Sequence, residues 1–261
     1  MNTQSLAKLA NRVREYNFTT NQLIVFTSIY IVLICNLPFL LRATSAITQT
    51  SDYSLIFLLS VPVLLHSVCN IFNGLLGIGR ALKPLLIFTL LLSSVLLYGT
   101  GSYGIVFDYS MIQNGIETDS AEALSYINIY AILFVIIVGC VPALCIFYAK
   151  TKSQSLLQSL KTRFALLTLN SIIVILIASC FYANYASVGR NNRELLGYIT
   201  PFKFIDASVK YANRHYFSTA LPFTILDSEP LLTNQHNNAN VTVLVVGETA
   251  RAQSFSLNGY S

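Results

Sequence analysis

INIYAILFVIIVGCVPALCIFY, residues 127–148, carries no charged side chain. A bilayer core of about 30 Å is crossed by roughly 20 mostly apolar helical residues, and this run is long enough to do so. Working outward from it, three earlier stretches repeat the pattern at 82–98, 54–76 and 22–41, and one later stretch does so at 164–182. The run at 82–98 is the shortest, and Pro84 falls near its start, where a first helical turn tolerates it. Composition agrees. The 261-residue chain is 54% hydrophobic and 10% charged, with mean hydropathy +0.61. Soluble domains carry about a quarter charged residues. The expectation is a mainly α protein, a five-helix transmembrane bundle over residues 1–182.

The net charge of +5 does not indicate nucleic-acid binding, because the basic residues segregate by loop. Lys8, Arg12 and Arg14 precede the first span. Arg80 and Lys83 lie between the second and third, and Lys150, Lys152, Lys161 and Arg163 between the fourth and fifth. The first-to-second loop holds only Arg42, and the third-to-fourth loop holds no Lys or Arg. The positive-inside rule therefore puts the N-terminus in the cytoplasm. Five spans then carry everything after Tyr182 to the outer side. A cleaved signal peptide ending near 43–46 fits less well, since the first run is too long for a signal core and four spans follow. Residues 3–16 place Leu6, Leu9 and Val13 at helical spacing among cations, which suits a short interfacial helix.

Trp is absent, so Tyr must supply the interfacial belt; Tyr53, Tyr98, Tyr126, Tyr148 and Tyr182 fall near span ends. The five cysteines, Cys35, Cys69, Cys140, Cys145 and Cys180, are odd in number and sit in apolar runs. They read as small buried packing residues, not a disulfide framework.

After Tyr182 the composition turns polar. Residues 183–240 read as a linker, with Phe202, Ile205, Val209 and Ala212 on one face of an amphipathic helix riding the outer membrane surface. Residues 241–246, VTVLVV, are a short apolar run rich in β-branched residues and closed by Gly247, the pattern of a strand buried on both faces. Glu248 follows at the carboxyl end, where open α/β sheets bind ligands. A carboxylate there is a candidate metal ligand; the alternative is a helix cap.

The stretch VVGETARA at 245–252, with Ser254, Phe255, Ser256, Leu257, Asn258, Gly259 and Tyr260 after it, resembles the opening motif of the phosphoethanolamine transferases of the alkaline phosphatase and sulfatase superfamily. Upstream, Phe107, Asp108, residues 111–114 (MIQN) and 117–123 (ETDSAEA) resemble that family's first large periplasmic loop. Residues 190–193 (RNNR) and 198–201 (YITP) resemble its bridging segment. The resemblance covers essentially the whole chain and is nearest to the lipid A enzymes, including those of mobile colistin resistance. It implies that 241–261 begins a truncated sulfatase-like catalytic domain whose first strand is 241–246, and that Glu248 ligates a catalytic Zn2+. The family's threonine nucleophile and remaining zinc ligands follow later in sequence than Ser261. The chain as given is therefore expected to be inactive, and Thr249 reads as a helix cap instead of a nucleophile.

Asn114, Thr118 and Glu122 are spaced i, i+4, i+8, which puts them on one face of a helix that Asp108 is placed to cap. The resemblance implies that these three hold the phosphoethanolamine head group. A carboxylate suits the ammonium, and amide and hydroxyl groups suit phosphate oxygens. His66, midway along the second span, is read as a neutral histidine bonded to a neighbouring helix. No role is given to it, or to His215 and His236.

The implied activity is transfer of phosphoethanolamine from phosphatidylethanolamine to lipid A, in a bacterial inner-membrane protein acting as a monomer. Reduced lipid A charge then weakens attraction of polymyxin-like peptides. Two other readings stay open. One is a related five-span enzyme that moves phosphoglycerol or modifies a core sugar or glucan. The other is a transporter or anchor module, against which stands the expectation that the spans hold almost no inward polar residues besides His66.

Overall fold

The computed structural model describes residues 17–49, 54–118, 128–152 and 155–217, all within one compact unit that ends at Ser218. The expectations for the segment 3–16, for Glu122, and for the strand 241–246 with Glu248 lie outside those residues.

The described chain is mainly helical. Four helices are long and apolar enough to cross a membrane: α3 (Leu55–Leu76), α4 (Gly79–Tyr103), α6 (Ile129–Tyr148) and α7 (Leu156–Asn191). A fifth crossing is available only if a bent pair counts as one span. That pair is α1 (Thr20–Cys35) and α2 (Leu37–Thr48), which meet at 64°. The straight first span expected at 22–41 is thus replaced by two helices hinged at Asn36. The hinge has a physical cause: the last turn of α1 is a π-type turn over Ile31–Cys35, and Pro38 sits in the first turn of α2. Proline cannot extend the preceding hydrogen-bond ladder but suits a helix start.

The freed backbone at this hinge is filled from far away. Asn36 Nδ2 donates to the carbonyls of Ile31 at 3.0 Å and Thr200 at 2.8 Å. Its Oδ1 accepts from the Thr200 N–H at 2.9 Å, and Thr200 Oγ1 donates to the Cys35 carbonyl at 3.2 Å. Asn36 is fully buried. One amide side chain therefore docks the segment that follows α7 into the break of the first span.

Two apolar cores flank α1. The first joins Ile31, Phe39, Phe57, Leu65 and Leu195, so it includes the short turn Arg193–Tyr198. The second joins Ile24, Leu86, Leu90, Ala143 and Ile146, which ties α1 to α4 and α6. Polar staples reinforce both. Asn70 donates to Asn170 Oδ1 at 3.1 Å, and Ser60 and Tyr185 hydroxyls pair at 2.8 Å. Ser28, Asn73, Ser93 and Ser94 are also buried. The spans therefore hold more inward polar residues than expected. Ser93 and Ser94 bond carbonyls of their own helix, whereas Asn70 with Asn170, Ser60 with Tyr185 and Asn73 with Ser28 act across helices, where lipid cannot satisfy a polar group. His66 bonds Asn70 on its own helix at 2.9 Å instead of a neighbour.

One end of the bundle is basic and cross-tied. Arg163 Nη1 donates to the carbonyls of Gly74 and Gly77, and Lys83 Nζ donates to those of Phe147 and Ala149. These cations occupy the carbonyl ends of α3 and α6, where the helix dipole favours them. Two short strands pair there in parallel, β1 (Asn17–Phe18) with β2 (Lys150–Thr151), a feature not foreseen. Helix α7 spans Leu156–Asn191, far beyond the expected 164–182, with a kink at Phe181. Cys35 and Cys69 are buried as expected, but Cys145 and Cys180 are exposed on the apolar outer surface. Helix α6 has a largely apolar exposed face, so a thiol there lies among lipid-facing side chains.

Candidate functional site

At the end opposite the basic one, α4 and α6 part to form a cleft of about 1150 Å3. Its walls are Val95, Tyr98 and Gly99 on α4 and Ala131, Ile132, Val135 and Ile136 on α6. Ligand clefts commonly run to about 1,000 Å3, so this one suits a large, mostly apolar guest.

Local sequence builds the polar lip. Gly104 ends α4 with φ +68, a left-handed value that glycine takes without strain. The chain then turns back, and Phe107 packs onto α4 at Gly99, where an added Cβ would lie 2.8 Å from its ring. Asp108 starts α5 (Tyr109–Glu117) as the expected cap: its Oδ1 accepts from the Met111 N–H at 2.9 Å and from Ser110 Oγ at 2.8 Å. The Met111 bond, then the Ser110 bond, hold the Asp108 carboxyl below the usual carboxylate range. Helix α8 (Phe202–Ala212) packs on this lip through Phe107 against Phe204 and Tyr109 against Tyr211. Ala207 and Tyr211 are its buried residues, while Val209, expected on the apolar face, is exposed.

Asn114 and Thr118 both line the cleft. The helix does not continue through them as the spacing suggested. It ends at Glu117, and Thr118 is extended, its hydroxyl donating to the Asn114 carbonyl. A single turn thus brings these two together; Glu122 is outside the described residues.

Three lining residues were not singled out from sequence as site residues. Glu117 is the one charged residue in the lining, which contains no Lys or Arg among the described residues. Its place was legible, since it lies three positions from Asn114 on the same helical face. Tyr98, assigned to the interfacial belt, and Tyr103 belong to the cleft wall. Tyr98 Oη donates to Asn128 Oδ1 at 3.2 Å, and Asn128 Nδ2 donates to Tyr103 Oη at 3.0 Å. Asn128 Oδ1 also caps α6 through the Ala131 N–H, so one side chain fixes both tyrosines against the start of α6. The arrangement can seat an amphiphile: an apolar trough between helices, closed at one end by amide, hydroxyl, carboxylate and aromatic groups.

Among the described residues, no three His, Cys, Asp or Glu side chains converge as a metal site. His215 stacks on Tyr211 at 5.4 Å between ring centroids. Glu248 and His236 are outside the described residues.

Residues 65–216 match the family model described as "Phosphoethanolamine transferase EptA/EptB". Phosphoethanolamine transferase EptA of Escherichia coli K12 is 33% identical over 241 residues, covering 91% of this chain and 44% of that protein. Phosphatidylethanolamine transferase Mcr-1 of Escherichia coli is 30% identical over 250 residues, covering 88% and 45%. The solved integral membrane lipooligosaccharide phosphoethanolamine transferase A (EptA) of Neisseria meningitidis superposes with a TM-score of 0.75 at 30% identity, over 94% of this chain and 46% of its own. The chain thus spans somewhat under half the length of these relatives. It is a multi-pass membrane protein of mainly helical fold, and it belongs to the phosphoethanolamine transferase EptA/EptB family.

Proposed function

We propose that this chain is the donor-binding membrane part of an enzyme that moves phosphoethanolamine from phosphatidylethanolamine to lipid A. The observation that carries the reading is the cleft between α4 and α6, apolar along its length and edged by Asn114 and Thr118. Acyl chains fit the trough; the amide and hydroxyl suit phosphate oxygens. Glu122 completes the head-group set in this proposal. The bent pair counts as the first of five spans. The cationic end faces the cytoplasm of a bacterial inner membrane, and the cleft opens on the periplasmic side. The protein works as a monomer.

Residues 241–261 open the sulfatase-like catalytic domain in this reading, and Glu248 supplies one hard oxygen donor to zinc, a donor type zinc accepts. Zinc, when bound, stabilises charge on phosphoryl oxygens. The described residues act earlier: they bind the donor, orient its phosphate and exclude water from it. Adding the ammonium-bearing group to lipid A lowers its negative charge and so weakens binding of polymyxin-like cationic peptides.

The test follows labelled head group from phosphatidylethanolamine to lipid A in the whole protein. Asn114→Ala, Thr118→Val and Glu122→Ala are each expected to slow transfer roughly tenfold, the worth of one charge-assisted bond. Unaltered rates in all three would remove the cleft from the mechanism. Label arriving on a core sugar or glucan instead would change the acceptor. Glu248→Ala is expected to lower zinc content measured by metal analysis; wild-type occupancy would end that assignment.

A further inference from the structure

We infer that Arg42, held over the Tyr198 ring and accompanied by Arg190 and Arg193, forms a docking site on the outer side of the protein for a phosphate monoester carried by a lipid. The inference rests on the lipid A reading above and adds where the acceptor phosphate is held. None of these residues lines the cleft.

Three observations carry it. Arg42 Cζ stands 4.0 Å from the centre of the Tyr198 ring, a contact that joins α2 to the turn Arg193–Tyr198. Its Nη1 bond to the Pro38 carbonyl is long, at 3.4 Å, so most of its N–H donors stay uncommitted among the described residues. Second, all three arginines are exposed and border one apolar core: Arg42 adjoins Ala43, Arg190 follows close on Val188, and Arg193 shortly precedes Leu195. Third, no carboxylate neutralises them. Glu194 is exposed beside Arg193, yet the ion pairs among the described residues are those of Lys203 and Lys210 with Asp206. Arg190 Nε donates to the Ala186 carbonyl of its own helix.

Lys and Arg are scarce in short outer loops, so unpaired guanidinium groups at this end point to an anion. A phosphate monoester carries about −1.5 to −2 charge at pH 7 and three strong acceptor oxygens. A phosphodiester carries a single charge and gains less. The guanidinium fork matches phosphate oxygens, and the ring beside it limits its motion before the ligand arrives. Leu41, next to Arg42, is exposed. An apolar side chain there suits acyl chains beside the phosphate and favours a lipid over free phosphate.

The experiment places the chain in phosphatidylcholine nanodiscs with lipid A, or with the same lipid after its phosphates are removed, and counts retained lipid by native mass spectrometry. Wild type is expected to retain the phosphorylated form preferentially, and less so as salt rises. Arg42→Gln is expected to cut that preference roughly threefold to fivefold, and Arg42→Gln with Arg193→Gln roughly tenfold, the scale of exposed charge pairs. Tyr198→Leu changes no charge and is expected to cut it roughly threefold. Tyr198→Phe keeps the ring and is expected to keep the preference. Thermal midpoints equal to wild type confirm folding. Inorganic phosphate that displaces the lipid at equal concentration would overturn the assignment to a lipid. Preference unchanged in both Arg42→Gln and Tyr198→Leu would overturn the inference and leave the lipid A reading standing. No preference in wild type would overturn both.

Discussion

Asn36→Leu is expected to lower stability by about 3 kcal/mol or more and to release the Thr200 amide to solvent exchange. Leucine keeps asparagine's branching and heavy-atom count, with methyls in place of the amide nitrogen and oxygen, so it fills the same site with somewhat greater bulk. What changes is the polar account. The Ile31 carbonyl, the Thr200 carbonyl and the Thr200 N–H each lose their bond to Asn36. The Ile31 carbonyl keeps the backbone N–H of residue 36, but the Thr200 carbonyl and N–H are left without a partner, and a buried polar group left unpaired costs about 1–3 kcal/mol. Thr200→Val removes only the hydroxyl bond to the Cys35 carbonyl and is expected to cost about 1 kcal/mol. Thermal unfolding in micelles and hydrogen exchange at Thr200 measure both. A leucine variant with wild-type midpoint and a protected Thr200 amide would show that something other than Asn36 holds this segment.

Gly139→Leu is expected to cost about 3 kcal/mol and to spread α4 from α6. Gly139 lies in the π-type turn of α6 at Ile136–Cys140. A Cβ there would collide with Ser94 Oγ and stand 3.1 Å from Ser94 Cβ and 3.3 Å from Leu91 Cδ2. Ser94 has no room to retreat, being fully buried with Oγ bonded to the Leu91 carbonyl at 2.7 Å. Membrane helices approach closely through small residues, and this is such a point. Gly139→Ala is expected to show a smaller loss, about 1 kcal/mol. Since Val135 and Ile136 line the cleft one turn away, the leucine variant is also expected to retain less donor lipid. An unchanged midpoint for Gly139→Leu would mean the two spans do not touch at this depth.

The two expectations differ in how far the sequence announced them. The spans were legible because apolar length is a one-dimensional property, and the run 127–148 needs no partner to be recognised. The break at Asn36 was only half legible: Pro38 marks a helix start, but the group that fills the freed backbone is Thr200, 164 positions away. An asparagine inside an apolar stretch gives no sign of which backbone its amide will bind. The cap at Asp108 was readable, being a contact three residues long. The end of α5 was not: the i, i+4, i+8 pattern of Asn114, Thr118 and Glu122 presumed a helix that stops at Glu117. The tyrosines show the same limit. Position near a span end assigned Tyr98 to the membrane interface, and only the pairing of α4 with α6 turns it into a cleft wall.

The 36 residues of α7, two helical segments joined at the kink at Phe181, rise about 1.5 Å each, or about 54 Å along the helical path. Hydrocarbon covers about 30 Å of that, so about 24 Å stands clear of it. Thinner lipid makes a helix this long lean, and because the turn Arg193–Tyr198 at its end is packed through Leu195 and followed by Thr200 bonded to Asn36, its tilt is passed to the break in the first span. Acyl chain length thereby becomes a mechanical setting for that break.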